Sequence, residues 1–208
     1  AVTSGIGHIA HDTDIAGSIR YPAYACGIHG LRPTLGRIPA YNASLPERTI
    51  GGQIGAVSGP LARTIADIRL ALTAMAARDV RDPWWVPAPL EGPPVEKRAA
   101  ICVAPDGLET RPEVAAAVRD AGARLERAGW KVDEITASPP LAEASDAQTK
   151  LWLADGYAAM VASAEREGDP AALNVLASHR LTAAAVALEG FSRLLVRRAT
   201  LLREWLLF

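Results

Sequence analysis

The sequence predicts an α/β fold, and three observations carry that prediction. A compact apolar run at residues 99–104 is followed by a capped helical pattern and then by a second strand-like run at residues 130–135. Another short apolar run, residues 6–10, leads into a turn that contains Gly17 and Ser18. From Leu141 onward the chain is rich in Ala with apolar residues at helical spacing. Strands that alternate with helices form β-α-β units, whose strands lie parallel and whose crossover is right-handed.

Each element has its own signal. Residues 6–10 read as a strand because a short apolar run is bounded by Gly and a turn. Residues 19–25 suit a helix, with Pro22 in the first turn, where its missing N–H costs no bond. Residues 27–31 suggest a short strand ended by Arg32 and Pro33. Residues 36–62 are dense in Gly and Pro and read as irregular wrapping. Thr64 is placed to cap a helix whose Ile65, Ile68, Leu72 and Met75 share one face.

The Pro-rich stretch from Asp82 to Pro94 reads as a rigid loop and a boundary between subregions. Thr110 and Glu113 have capping-box spacing, and Val114, Val118, Ala121, Leu125 and Ala128 follow the helical period. Gly129 then stops that helix. Further on, Gly168-Asp169-Pro170 and Gly190 are expected to punctuate the helical region.

Composition narrows the function classes. The chain has 208 residues, 50% of them hydrophobic, which suits one domain or one large piece of a domain with a substantial core. A net charge of -1 gives no electrostatic footing for nucleic acid or an anionic membrane. No apolar run approaches the roughly 20 residues of a membrane span. Cys26 and Cys102 lack Cys-x-x-Cys or metal-ligand spacing and read as buried thiols of a cytoplasmic protein. No His-x-x-x-His pair or acidic cluster suggests a metal.

The chemistry concentrates between His11 and Ala23. A Ser on a tight Gly-containing turn exposes its hydroxyl while neighbouring backbone N–H groups point into one small space. Asp14 and Arg20 flank that turn, either as solvated charges or as an ion pair that clamps it. His8, His11, His29 and His179 invite a Ser–His–Asp reading with Asp14 behind His11. The strand and turn between His11 and Ser18 should carry those side chains apart, which disfavours it. Trp84 and Trp85 read as packing residues of the Pro-rich loop before they read as a substrate pocket. Arg193, Arg197, Arg198 and Arg203 read as a solvated helix face, because acids nearby leave little net charge.

The longer string Thr13-Asp14-Ile15-Ala16-Gly17-Ser18-Ile19-Arg20-Tyr21-Pro22-Ala23 resembles the amidase signature family of serine hydrolases. So do Cys26-Gly27-Ile28-His29-Gly30-Leu31-Arg32-Pro33-Thr34-Leu35-Gly36-Arg37 and Ser58-Gly59-Pro60-Leu61-Ala62-Arg63-Thr64-Ile65-Ala66-Asp67. The three blocks stand in the family's order and cover about the first third of the chain. The resemblance implies an α/β/α core, with the strands near residues 6–10, 28–31, 99–104 and 131–135 in a mixed sheet flanked by helices. It implies amide C–N hydrolysis of a small-molecule amide through an acyl-enzyme, with Ser18 as nucleophile. The oxyanion would be held by the backbone N–H groups of Ile15, Ala16, Gly17 and Ser18, and the loop supported by Thr13, Asp14 and Arg20. No cofactor, metal, nucleic acid or membrane is implied, and a homo-oligomer is compatible with it.

The family's catalysis uses a Ser–Ser–Lys triad whose other Ser and Lys lie upstream of the nucleophile segment. The residues before Ser18 hold no Lys, and Ser4 lacks the Gly-Gly-Ser-Ser-Gly-Gly context of the middle serine. Residues 1–208 are therefore expected to be part of a single amidase domain truncated at both ends. A nucleophile-loop region would cover 1–80, and a β-α-β and helical region 95–208. The alternative to an amidase is a catalytically inactive, amidase-like remnant. The family also has Gly where this chain has Asp12 and Ala16. A Cβ at residue 16 in a left-handed conformation would cost about 1–2 kcal/mol, so strain is expected there.

Overall fold

A computed structural model describes residues 1–208, which form two compact units. The first comprises Ala1–Glu91 and Leu151–Ala185, and the second Gly92–Lys150 and Val186–Phe208.

The first unit is built on a three-stranded antiparallel sheet. Its strands are β1 (Ile9–Asp14), β2 (His29–Gly30) and β3 (Val57–Ala62), in the order β1-β3-β2. Register runs from Ile9 opposite Ala62 to Asp14 opposite Val57. β1 begins later than the apolar run suggested, and Ile6 is exposed. An edge strand tolerates polar residues on its open side, so the run of apolar letters was a poor guide to its limits. β3 falls inside the stretch read as irregular, yet every one of its residues is buried. Gly and Pro are admitted there for local reasons. Pro60 has no N–H to offer, but its carbonyl accepts from Leu31 N–H at 3.0 Å. A Cβ on Gly59 would run into the Leu31 carbonyl and the Ile19 side chain.

Helix α1 (Arg20–Cys26) follows β1 and ends on Gly27, which adopts φ +64 and donates to the Ala23 and Tyr24 carbonyls. Its N-cap residue Ile19 and its buried Ala23 pack with Leu61 of β3, and Ala10 and Ile28 join this cluster. Helix α2 (Ile50–Gly55) also lies in the segment read as irregular. The Gly51 backbone sits against Leu151, and its N–H donates to Asp155 at 3.3 Å. Helix α3 (Ile65–Met75) is capped as expected, with Thr64 Oγ1 accepting from Asp67 N–H at 3.1 Å. Its buried residues are Ile68 and Ala71, whereas Ile65 is exposed.

The second unit holds the predicted β-α-β element. Strands β4 (Arg98–Ile101) and β5 (Lys131–Glu134) are parallel and are joined through α4 (Pro112–Arg127). The strands of the chain thus divide into two small sheets, one antiparallel and one parallel, instead of a single mixed sheet. Arg111 is the N-cap of α4 and makes no side-chain cap bond, so the Thr110–Glu113 capping box does not form. Pro112 at the first helical position sets the start one residue too late for Thr110 to reach. Trp130 N–H closes the far end by donating to the Leu125 carbonyl at 3.0 Å.

Three helices complete the chain: α5 (Leu141–Glu167), α6 (Pro170–Ala184) and α7 (Leu188–Leu207). Asp169 caps α6 by accepting from Ala171 N–H at 2.9 Å. Gly190 does not break the chain; it lies in the first turn of α7. Cys26 is exposed and Cys102 partly so, against the expectation that both are buried. Cys26 is the last residue of the short α1, and Cys102 follows directly on the short β4, so neither sits in the middle of a packed element.

Candidate active site

Asp14 ends β1 and is fully buried, and the turn that follows is folded around its carboxylate. Oδ1 accepts from Gly17 N–H at 2.8 Å, and Oδ2 accepts from Ile19 N–H at 3.2 Å and Arg20 N–H at 3.3 Å. The Arg20 side chain adds a two-pronged contact, Nε to Oδ2 at 3.0 Å and Nη2 to Oδ1 at 2.9 Å. Burial by itself would raise the Asp14 pKa. The Arg20 bonds and the three backbone N–H groups outweigh it and hold the carboxyl well below the usual carboxylate range. The same contact raises the Arg20 pKa. Of the two readings of this pair, the clamp is the one the chain adopts.

Between the clamped residues, exposure alternates. Gly17 and Ile19 are buried, whereas Ala16 and Ser18 are exposed. Gly17 adopts φ +124, and the Tyr21 ring occupies the space where its Cβ would be. Ile19 is 0% exposed and anchors the turn in the core. The Ser18 hydroxyl is therefore presented to solvent on a rigid base. Ala16 is not in the left-handed region; Asp106 is the one non-Gly residue with positive φ. The strain expected at residue 16 is absent, because the turn places its left-handed residue at Gly17.

The four proposed oxyanion donors do not stand alike. Gly17 N–H is spent on Asp14, whereas the N–H groups of Ile15, Ala16 and Ser18 make no hydrogen bond within the chain. Asp12 turns to its own neighbour, accepting from Thr13 N–H at 2.7 Å. Thr13 lies opposite Ser58, which is itself buried. Asp14 has no oxygen left to orient His11, so the Ser–His–Asp reading loses its carboxylate.

Sequence reasoning missed Arg32. Its Nε lies 3.5 Å from Asp14 Oδ1, and its Nη2 donates to the Gly55 carbonyl at 2.9 Å. Arg32 thus ties the buried carboxylate to the end of α2. The Arg-Pro pair at the end of β2 was visible in the sequence, but its partner was not. No group of three or more His, Cys, Asp or Glu converges anywhere to hold a metal ion. No single helix is long and apolar enough to cross a membrane. Arg193 and Arg197 of α7 are paired with Glu189 and with Glu143 and Glu204, which neutralises much of the basic face.

Known proteins resemble this chain in sequence and in fold. A family model described as Amidase matches residues 1–203. An indoleacetamide hydrolase of Bradyrhizobium diazoefficiens is 50% identical over 138 residues, covering 65% of this chain and 26% of that protein. An acylamidase of Rhodococcus erythropolis is 36% identical over 146 residues, covering 65% of this chain and 29% of that protein. A crystal structure of an amidase superposes with a TM-score of 0.71 at 25% identity, over 99% of this chain and 43% of that one. A bacterial aryl acylamidase of the amidase signature family superposes at 0.73 with 24% identity, over 96% of this chain and 43% of that one, which shows a shared fold. The chain thus spans less than a third of the length of these curated relatives.

Proposed function

The chain belongs to the Amidase family, the amidase signature enzymes, and from that premise we propose that it carries the nucleophile of a hydrolase acting on amide C–N bonds. One observation supports the reading above all: Ser18 is exposed between two buried residues, on a turn clamped by a buried carboxylate. Ser18 Oγ attacks the amide carbonyl carbon, and the carbonyl π pair moves onto oxygen. The resulting oxyanion is received by the N–H groups of Ile15, Ala16 and Ser18, aimed before the reaction begins. Collapse expels the amine, which takes a proton, and leaves an acyl-Ser18 ester. Water then cleaves that ester, releasing the acid and restoring the hydroxyl.

Proton transfer needs a base. No His, Lys or carboxylate of this chain is hydrogen-bonded to the Ser18 hydroxyl, so the Ser and Lys implied by the family pattern are the proposed source. Asp14, Arg20 and Arg32 act at one remove, as positioning residues that hold the turn. The substrate is a small uncharged amide, and the likeness to an indoleacetamide hydrolase favours an arylacetamide. A fluorophosphonate probe tests the assignment, applied to this chain joined to the upstream segment of a family member. Labelling should fall on Ser18 and vanish in Ser18→Ala; labelling that survives the substitution overturns it.

A further inference from the structure

We propose that the first unit contains a binding cavity for a single uncharged aromatic ring, enclosed by two long loops. The first loop covers residues 31–49, between β2 and α2, and the second begins at residue 76, after α3. Irregular segments of this length are uncommon in compact units unless they serve a function. These two are built into each other. Val86 N–H donates to the Gly36 carbonyl at 2.9 Å, and Arg37 donates to the Pro89 carbonyl at 2.5 Å. Asp82 accepts from Ala40 N–H at 2.5 Å with one oxygen and from Trp84 N–H at 2.7 Å with the other. The Arg81 guanidinium lies over the Tyr41 ring, 4.7 Å from its centroid.

Between the stitched loops lies a cavity of about 100 Å³, lined by the buried Ile38 and Val57, the half-buried Leu35 and the exposed Tyr41 and Trp84. Apolar cavities of roughly 150 Å³ hold a benzene, so this smaller volume admits no more than one ring, with any substituent left toward solvent. Tyr41 and Trp84 on the lining favour a flat occupant, because aromatic rings offer offset-stacked and edge contacts. The Trp84 wall is fixed from outside: its indole N–H donates to Gln53 Oε1 at 3.2 Å, and Gln53 Nε2 donates to the Arg48 carbonyl at 2.7 Å.

The polar inventory decides the charge of the occupant. Gln53 and Asp82 have their polar atoms engaged with the protein, and the remaining charges on the lining, Glu47 and Arg48, are of opposite sign. Nothing in the cavity selects an ion. Occupancy needs no chemistry at Ser18, so binding is measurable whether or not the chain turns over an amide.

The test is ligand-observed NMR and calorimetry on the 208-residue chain, with benzyl alcohol, cyclohexylmethanol and phenylacetate as probes. Benzyl alcohol should bind saturably with one-to-one stoichiometry. Phenylacetate should bind about tenfold more weakly, and cyclohexylmethanol more weakly than benzyl alcohol. Ala56→Leu, which fills the cavity from its wall, should lower the affinity for benzyl alcohol by about tenfold while the far-UV circular dichroism is unchanged. If Ala56→Leu fails to fold, Leu45→Trp at the exposed rim should give the same loss. The proposal is overturned by the absence of saturable binding, by binding indifferent to the filling variant, or by phenylacetate binding as tightly as the alcohol.

Discussion

The Arg20 guanidinium closes on both oxygens of the Asp14 carboxylate, and Ser18 is carried on the stretch of chain between these two residues. The two partners are unequal. Asp14 is 0% exposed, while the Arg20 side chain is 57% exposed. Asp14→Ala strips the shared acceptor from three backbone N–H groups and should cost about 3–5 kcal/mol. Arg20→Ala should cost roughly 1.5–3 kcal/mol, because the backbone donors and Arg32 stay in place. Urea midpoints read both, and equal losses would show that the backbone bonds contribute nothing.

The same carboxylate sets an acid limit. Its folded pKa is depressed below the unfolded value near 3.9. Its stabilisation is therefore fully present above roughly pH 4 and is lost as the pH falls from there toward the folded pKa. Asp14→Asn should remove this component of acid destabilisation. A variant whose melting temperature falls as steeply as the wild type's between pH 4 and strongly acid solution would refute the assignment.

Gly17→Ala should destabilise the turn by about 1–2 kcal/mol through its left-handed backbone alone. The clash with the Tyr21 ring adds to that cost. Tyr21 is largely exposed, so Tyr21→Ala should recover the clash and leave the backbone part behind. Full recovery in the double variant would mean that φ at residue 17 carries no strain.

The purified 208-residue chain should release no measurable aniline from a simple anilide. Base assistance is worth about 10²–10⁴-fold, and Ser18 is hydrogen-bonded to no base here. Turnover that disappears in Ser18→Ala would point to a base within the chain.

Self-association should follow from α7. Leu206, Leu207 and Phe208 are 84%, 81% and 63% exposed, and contiguous apolar surface of this kind promotes contact between molecules. Leu206→Lys with Leu207→Glu should shift the sedimentation profile toward monomer and lower the binding of a hydrophobic dye. A monomeric wild-type chain with no dye binding would count against the idea.

The turn from Asp14 to Arg20 was legible because its determinants are local: Asp14, Gly17 and Arg20 all lie within one turn's reach. Arg32 was not, since its approach to Asp14 depends on how β2 lies beside β3. β3 itself was hidden by composition. Gly59 and Pro60 read as breakers, but one makes room for a neighbouring carbonyl and the other still offers its own carbonyl to Leu31. The β-α-β element was visible from period and caps, although Pro112 displaced the predicted cap. The strain expected at Ala16 rested on residue identity, when the backbone had assigned the left-handed position to Gly17.

The cage around Asp14 also bears on the order in which the chain acquires its structure. Its hydrogen bonds reach from residue 14 only to residues 17, 19 and 20, and the Arg32 ion pair is the one contact from beyond the turn. The sheet beneath it must join Ile9 to Ala62 and Asp14 to Val57 across a far longer loop. Short loops close at little entropic cost, and long ones govern the folding rate. The segment that presents Ser18 is therefore expected to organise ahead of the sheet that supports it. In pulse-labelling hydrogen exchange, the Gly17 and Ile19 amides should gain protection before that of Ala62; simultaneous protection would mean that the cage waits for β3.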